Sequence, residues 1–496
     1  MATGIKKLAE QTAVYGISSI VARLLNYLLV PYLTRIMTPA EYGVITDMYA
    51  IIPFAMVILT LGLETGYFRF AAKARTRRRR EEVFSTTWGA TSYMGLAFMA
   101  VAWMWQMPIA TAMGYGDRPE LFMIMAGIIT LDMINAIPFV RLREQGRAAR
   151  FVWVRIVSVA INLGLCFFFY GALPHIPALA RMYDPSFGAG YYMVANLISS
   201  LATLVIVTPV DTKRLFRGMN WRLLRQIMVY SLPLLLSGIA GTANEFIDRQ
   251  MIKFLVPEHL AMASLGIYGA VMKIGVVMLL FTQMYRLAAE PFFLAEFKKE
   301  DFMRVNAEAM KYFIIVSITL FLGITLFADL FALIIGAEFR HGMYILPWVL
   351  AGNILSGVVL NLSFWYKQSG RTLFAVVVTG TGLIFTIGMG YWLIPKLGFM
   401  GASLARVACE GAMVLVSYWF KRRYFPIPYD LKRIGEYVLV GLALYATGFF
   451  TALLPDAAEY LLNLCLVAAF FFYALWREKI DLAGMLRSVI KTVTRK

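Results

Sequence analysis

Residues 42–80 read YGVITDMYAIIPFAMVILTLGLETGYFRFAAKARTRRRR. Positions 42–68 form one apolar block. As a helix rising about 1.5 Å per residue, it is long enough to cross the roughly 30 Å of hydrocarbon in a bilayer. The segment that follows, 69–82, holds seven Lys and Arg residues, four of them in the run Arg77, Arg78, Arg79 and Arg80. An apolar block closed by a dense basic segment is the signature of a membrane span emerging on the cytoplasmic side. The arginine run therefore reads as a topology anchor beside anionic lipid rather than as a nucleic-acid contact.

The pattern repeats along the chain. Apolar blocks fall at 11–34, 42–68, 83–106, 119–140, 151–172, 189–209, 224–247, 264–292, 306–328, 343–365, 372–394, 401–420, 434–454 and 458–475. They predict an all-α polytopic membrane protein of about 14 transmembrane helices. Helices are required because an open strand would leave its backbone groups unpaired in lipid. The period-two alternation of an outer-membrane barrel is absent. With the N-terminus inside, the inward connections hold 34 of the 47 Lys and Arg residues and the outward ones hold seven. That bias places both termini in the cytoplasm. Lys6 and Lys7 precede a block that carries Arg23 and Asn26 and lacks a small-residue cleavage site, so it reads as a retained first span. In the tail 477–496, Leu482, Leu486, Val489 and Val493 fit a short helix on the inner leaflet, with disorder as the alternative.

Composition excludes most other classes. The chain is 60% apolar and 15% charged, with a mean hydropathy of +0.69; soluble domains run near about 45–50% and about 25%. The net charge of +18 would suggest nucleic acid in a soluble protein, but here it collects in the inward connections. Cys166, Cys409 and Cys465 lie within apolar blocks and read as small hydrophobes. His175, His259 and His341 occupy separate loops without ligand spacing, so neither a metal nor another cofactor is expected. No glycine-rich nucleotide cradle is present, so ATP coupling within this chain is not expected.

The longest inward connections divide the chain into 1–220, a six-helix N-terminal lobe, 221–430, a six-helix C-terminal lobe, and 431–496, two further helices with a basic cytoplasmic tail. An even span count per lobe makes any duplication a parallel pseudo-repeat. Val14-Tyr15-Gly16 against Val229-Tyr230-Ser231, and Glu41-Tyr42-Gly43 against Ile267-Tyr268-Gly269, carry faint traces of one. Two such bundles imply a cleft that opens to either side by rocking.

Ionisable residues within spans carry the functional signal, because each is costly in lipid unless it faces water or a partner. Arg23 lies near the middle of the first span with Asn26 on the same face, and Lys273 lies about nine residues into the eighth. Both fit either cavity cations or interhelical ion pairs. Arg249 stands at the end of the seventh span. Asp47, Glu64 and Glu290 are candidate charge-pair or ion-coupling groups, with Asp132 and Asn135 also on the fourth span. Arg286 with Glu290, and Arg406 with Glu410, are one turn apart and suit internal pairs. Arg69, Arg155 and Arg225 can snorkel. Pro53 and Pro233 should bend their helices. Gly380, Gly382, Gly388 and Gly390 read as close packing in the eleventh span. A cavity of fixed positive charge with flanking amides suits a phosphate group.

Several stretches are familiar. Leu33-Thr34-Arg35-Ile36-Met37-Thr38-Pro39-Ala40-Glu41-Tyr42-Gly43 resembles the first outer turn of the polysaccharide flippases, lipopolysaccharide or O-antigen type. These belong to the multidrug/oligosaccharidyl-lipid/polysaccharide exporter superfamily. Leu61-Gly62-Leu63-Glu64 with Phe68-Arg69-Phe70 is similar to the end of their second helix. Asp248-Arg249, Leu265-Gly266-Ile267-Tyr268-Gly269 through Lys273, and Tyr285-Arg286-Leu287-Ala288-Ala289-Glu290-Pro291-Phe292 are similar to their seventh and eighth. The resemblance implies a membrane transporter, not an enzyme, in the bacterial cytoplasmic (inner) membrane. It would flip undecaprenyl-pyrophosphate-linked oligosaccharide by alternating access, in polysaccharide and lipopolysaccharide biosynthesis. Arg23, Asn26, Arg249, Lys273 and Arg286 are the implied substrate contacts. The implied partners are the polyprenyl-pyrophosphate-linked glycan, membrane lipids and glycan-assembly proteins, with a monomer expected and no nucleic acid. The alternatives are a peptidoglycan-precursor flippase and a proton- or sodium-coupled exporter of drugs or organic cations.

Overall fold

The computed structural model describes residues 27–479 apart from 178, 209–218, 297–300, 370, 372 and 452. Arg23, Asn26, most of the first expected span and the tail segment from residue 480 lie outside the described residues. Every regular element described is helical. In chain order these are α1 (Leu29–Ile36), α2 (Pro39–Leu59), α3 (Leu63–Lys73), α4 (Arg77–Met104), α5 (Gln106–Ala112), α6 (Pro119–Glu144), α7 (Ala148–Phe167), α8 (Gly190–Val207) and α9 (Trp221–Leu255). There follow α10 (Glu258–Ile274), α11 (Val276–Glu296), α12 (Phe302–Thr325), α13 (Ala328–Ala332), α14 (Leu346–Gln368), α15 (Leu373–Leu397), α16 (Phe399–Tyr424), α17 (Leu431–Thr451) and α18 (Asp456–Glu478).

Among the described residues, ten helices are long and apolar enough to cross a membrane, or up to 12 if each of two helix pairs split by a short break is one span. All of them fall on expected spans, and the chain has an all-α polytopic membrane fold. Outside that count are the first expected span and the seventh. The seventh lies within α9, a single helix of 35 residues.

Local chemistry places the helix ends. The familiar stretch around residue 40 is a helix start: the Thr38 hydroxyl accepts the Glu41 amide at 3.3 Å, the Glu41 carboxylate accepts the Thr38 amide at 2.9 Å, and Pro39 opens the first turn of α2. Between α2 and α3 the helix is interrupted because Leu61 and Gly62 take φ of 50° and 67°. Pro53 lies inside α2, and α9 remains helical through position 233. A second interruption bends α5 from α4 by 82°. The arginine run, expected within a connection, forms the first turn of α4 behind the Thr76 cap. Positive charge at a helix start is unfavourable. Glu82 at 2.7 Å from Arg79 and Glu144 at 3.4 Å from Arg80 offset it.

The described chain forms two compact units. The first takes the residues up to Lys273 with Ile335–Gly342 and Arg371–Met413; the second takes Ile274–Ile334, Met343–Gly370 and the residues from Val414. Within the first, α9 packs against α2 and α15, and α6 against α4 and α8. Within the second, α12 packs against α14, α17 and α18. The carbonyl of Gly275, at the break before α11, accepts the buried Asn353 amide at 3.1 Å. That bond satisfies a backbone group the broken helix would leave open.

Two glycine-bearing motifs meet in the first unit. A Cβ on Gly43 would lie 2.0 Å from the Met262 carbonyl oxygen, and one on Gly266 would lie 1.9 Å from that of Pro39. The backbones of α2 and α10 therefore touch, which only small residues permit. Gly266→Ala is expected to cost about 1–3 kcal/mol through overpacking and to lower the thermal midpoint in detergent. Gly388→Ala, whose Cβ meets nothing within 4 Å, should not lower it. The expectation for the eleventh span divides accordingly. Gly382 and Gly390 pack against Met413 and Met251, whereas Gly380 and Gly388 face open space and mark no contact.

Candidate functional site

Four of the described candidates, Asp47, Glu64, Arg249 and Lys273, belong to the first unit. Lys273 sits in the last turn of α10, two residues before the break at Gly275. Its side chain is exposed although it lies far along a span. No acidic side chain forms an ion pair with it among the described residues. Its ammonium stands 5.3 Å from the centroid of the Tyr27 ring, which stabilises a cation without neutralising it. Arg249, half-buried on α9, is within electrostatic reach of the same ammonium. Two positive groups so placed repel, and an anion between or beside them relieves the repulsion.

The neighbouring acid is already engaged. Asp248 is 2% exposed and accepts the Tyr268 hydroxyl at 2.6 Å and the Arg249 backbone amide at 2.8 Å. Arg406 on α16 reaches it at 3.6 Å. The familiar Asp248-Arg249 and Tyr268-Gly269 stretches therefore form one hydrogen-bonded joint between α9 and α10.

Asp47 is also fully satisfied. It is 0% exposed and accepts Gln250 Nε2 at 2.6 Å, the Tyr115 hydroxyl at 2.7 Å and the Lys253 ammonium. Lys253, expected in an outward connection, lies instead on the last turn of α9, because that helix continues past the apolar edge that hydropathy detects. Glu64 occupies the first turn of α3, half-buried, where an acid suits the helix dipole.

Arg286 and Glu290 belong to the second unit, on α11. The expected internal pair between them does not form. Glu290 faces Lys367 of α14 at 3.6 Å, and Arg286 is exposed. Sequence reading missed two features of this unit. A cavity of about 410 Å³ is lined by apolar side chains of α12, α14, α16 and α17, including Met310, Ile314, Leu355, Val358, Ile434 and Val438. At one end of α18, buried Glu478 accepts the Tyr437 hydroxyl at 2.6 Å, Arg433 at 3.2 Å and the Lys311 ammonium, which binds the last two helices to α12. Uninterrupted hydrophobicity was the only signal for the cavity, and every lipid-facing helix shares it. Among the described residues no group of three or more His, Cys, Asp or Glu could hold a metal ion.

A long apolar helical fold of ten to 12 membrane-length helices among the described residues, with the Lys273 side chain exposed inside one of them, defines a multi-pass membrane protein. A family model described as polysaccharide biosynthesis protein matches residues 8–295, more than half of the chain. The protein belongs to that family, and its long apolar helices make it a multi-pass membrane protein. A Haemophilus influenzae protein named Lsg locus putative protein 1 is 19% identical over 413 residues, covering 80% of this chain and 95% of its own. The structure is similar to the lipid II flippase MurJ in an inward closed conformation, at 14% identity and a TM-score of 0.73, covering 95% of this chain and 100% of that one. It is also similar to an inward-facing multidrug resistance MATE family transporter, at 16% identity and a TM-score of 0.66, covering 83% and 94%. These likenesses are ones of fold.

Proposed function

We propose that the protein flips undecaprenyl-pyrophosphate-linked oligosaccharide from the cytoplasmic to the outer leaflet by alternating access. Family membership supports the glycan class. The observation that carries the reading is Lys273, exposed deep in a span, without an acidic partner among the described residues and within reach of Arg249. In this reading Arg249, Lys273 and Arg286, with Arg23 and Asn26, contact pyrophosphate or sugar. The chain crosses the membrane fourteen times, as lobes 1–220 and 221–430 followed by two helices, with both termini in the cytoplasm. The apolar cavity in the second unit gives the polyprenyl tail a seat on α17; α18 contributes none of its lining. Asp47 and Glu290, held by lysines, are less suited to coupling than Glu64.

The similar solved structures favour the alternative substrates. One is a lipid II flippase and another a multidrug transporter, so peptidoglycan precursor and organic cations are the competing cargoes. Reconstitution separates the three. Vesicles containing the full chain are supplied with fluorescent undecaprenyl-pyrophosphate oligosaccharide, lipid II or an organic cation, and translocation is read by loss of quenchable label. The proposal expects the oligosaccharide to move fastest; preferential movement of either other cargo overturns it. An inside-negative potential should accelerate the reaction. Two negative charges crossing 100 mV gain about 4.6 kcal/mol, so collapsing the potential with an ionophore should slow flipping.

A further inference from the structure

One buried cation of the second unit has no acid, and it stands beside the apolar cavity. Lys421 lies in the last turn of α16, in the stretch of that helix that belongs to the second unit. The residue is 5% exposed. A lysine this deep is normally paired with a carboxylate. Among the described residues it makes no ion pair. Acids that flank the start of α17 and the end of α18 are engaged elsewhere: Glu478 by Lys311 and Arg433, Asp430 by Arg433, and Glu436 by Arg477. Lys421 is held instead by two ring faces, its ammonium 4.7 Å from the centroids of both Tyr418 and Tyr429. Ring faces soften the cost of burying a charge but leave the charge uncancelled.

The same two tyrosines line the cavity of about 410 Å³, beside Met310, Ile314, Leu355 and Val358. Tyr429 is fixed in place. Its hydroxyl donates to Asn306 Oδ1 at 2.7 Å, with Asn361 Oδ1 at 3.3 Å, and Asn361 Nδ2 donates to the Tyr285 hydroxyl. The ring that carries the ammonium is therefore set before any ligand arrives. An uncancelled cation at one end of an apolar compartment complements an anion carried on a hydrocarbon chain. One cation and one compartment of this size match a lipid with a single chain at its phosphate; a glycerophospholipid brings two. Arg422 and Arg423 follow, both exposed. In the fourteen-span reading this basic end faces the inner leaflet, the side from which an anionic lipid would be drawn.

We infer that Lys421 and the tyrosine-walled cavity beside it form a docking subsite for the carrier lipid, with its phosphate end at the ammonium and its first isoprene units among the apolar side chains. The subsite deepens the proposed function and rests on it for the carrier's identity. It lies wholly within the second unit, whereas Arg249 and Lys273 belong to the first. The carrier is caught here by its anionic end before the head group passes to those cations.

The test uses the purified full-length chain in phosphatidylcholine nanodiscs, with thermal unfolding followed as undecaprenyl pyrophosphate or uncharged undecaprenol is added. A bound ligand raises the midpoint with its concentration. Lys273→Met serves as the reference chain, so that the proposed head-group lysine does not contribute. In it the pyrophosphate should act at about ten-fold lower mole fraction than the alcohol. Adding Lys421→Gln should abolish that preference, and the variant should fold, because it removes a buried charge that no acid answers. Lys421→Arg should keep the preference, and Val358→Phe, which fills the cavity, should blunt the response to both lipids. A reference chain that answers both lipids alike, or a Lys421→Gln variant that keeps the preference, overturns the subsite. Phosphatidylglycerol or inorganic phosphate acting as well as undecaprenyl pyrophosphate overturns the carrier as its occupant. The flipping assay judges the functional reading separately: preferential movement of an organic cation ends that reading, while a preference that depends on Lys421 upholds the subsite.

Discussion

Lys273→Met is expected to reduce head-group flipping roughly ten- to a hundred-fold while leaving folded protein in the membrane. A charged hydrogen bond to a ligand contributes about 1.5–3 kcal/mol net, and every 1.4 kcal/mol or so is a factor of ten. Folding should tolerate the change, because Lys273 makes no ion pair among the described residues. Removing its charge also eases repulsion from Arg249. The thermal midpoint should therefore hold or rise while transport of labelled lipid-linked oligosaccharide falls. Lys273→Arg, which keeps the charge, should retain most of the rate. Unchanged flipping in Lys273→Met would remove the ammonium from the proposed site.

The opposite outcome is expected at Lys253. Its ammonium is the positive partner of Asp47, and the two side chains are 7% and 0% exposed. Lys253→Met leaves a carboxylate buried with only Gln250 and Tyr115 as donors. Removing one member of such a pair costs about 3–5 kcal/mol, so the unfolding midpoint should drop sharply. Adding Asp47→Asn should recover much of the loss, because a neutral amide needs no counter-charge. If Lys253→Met alone unfolds as the wild type does, the pair contributes nothing to holding α2 against α9.

These two lysines show what the chain discloses before folding. Hydropathy located the spans because lipid selects for long apolar runs whatever their neighbours. It placed Lys273 correctly as a cation inside one of them. It put Lys253 in a connection rather than on a helix because the apolar edge marks where hydrocarbon ends, whereas α9 continues to Leu255. The partner, Asp47, is 206 residues away in sequence; no local pattern joins them. Proline was the expected source of bends, yet the interruption after α2 comes from Leu61 and Gly62, within an apolar run that gives no polar signal. The Asp132 and Asn135 pair was visible only as two polar residues on one span. That both meet Ser200 depends on how α8 presents it. Charge at unusual depth is legible in one dimension; which acid answers which base is set by packing.

The crossing of α2 and α10 at Gly43 and Gly266 has a mechanical corollary. Bare backbones in contact can swivel past one another with little resistance, but they have no longer side chains to slide along or lever apart. Such a point behaves as a fulcrum: during the transport cycle, spin labels flanking it should keep their separation while labels at the far ends of the same two helices trace the largest arcs.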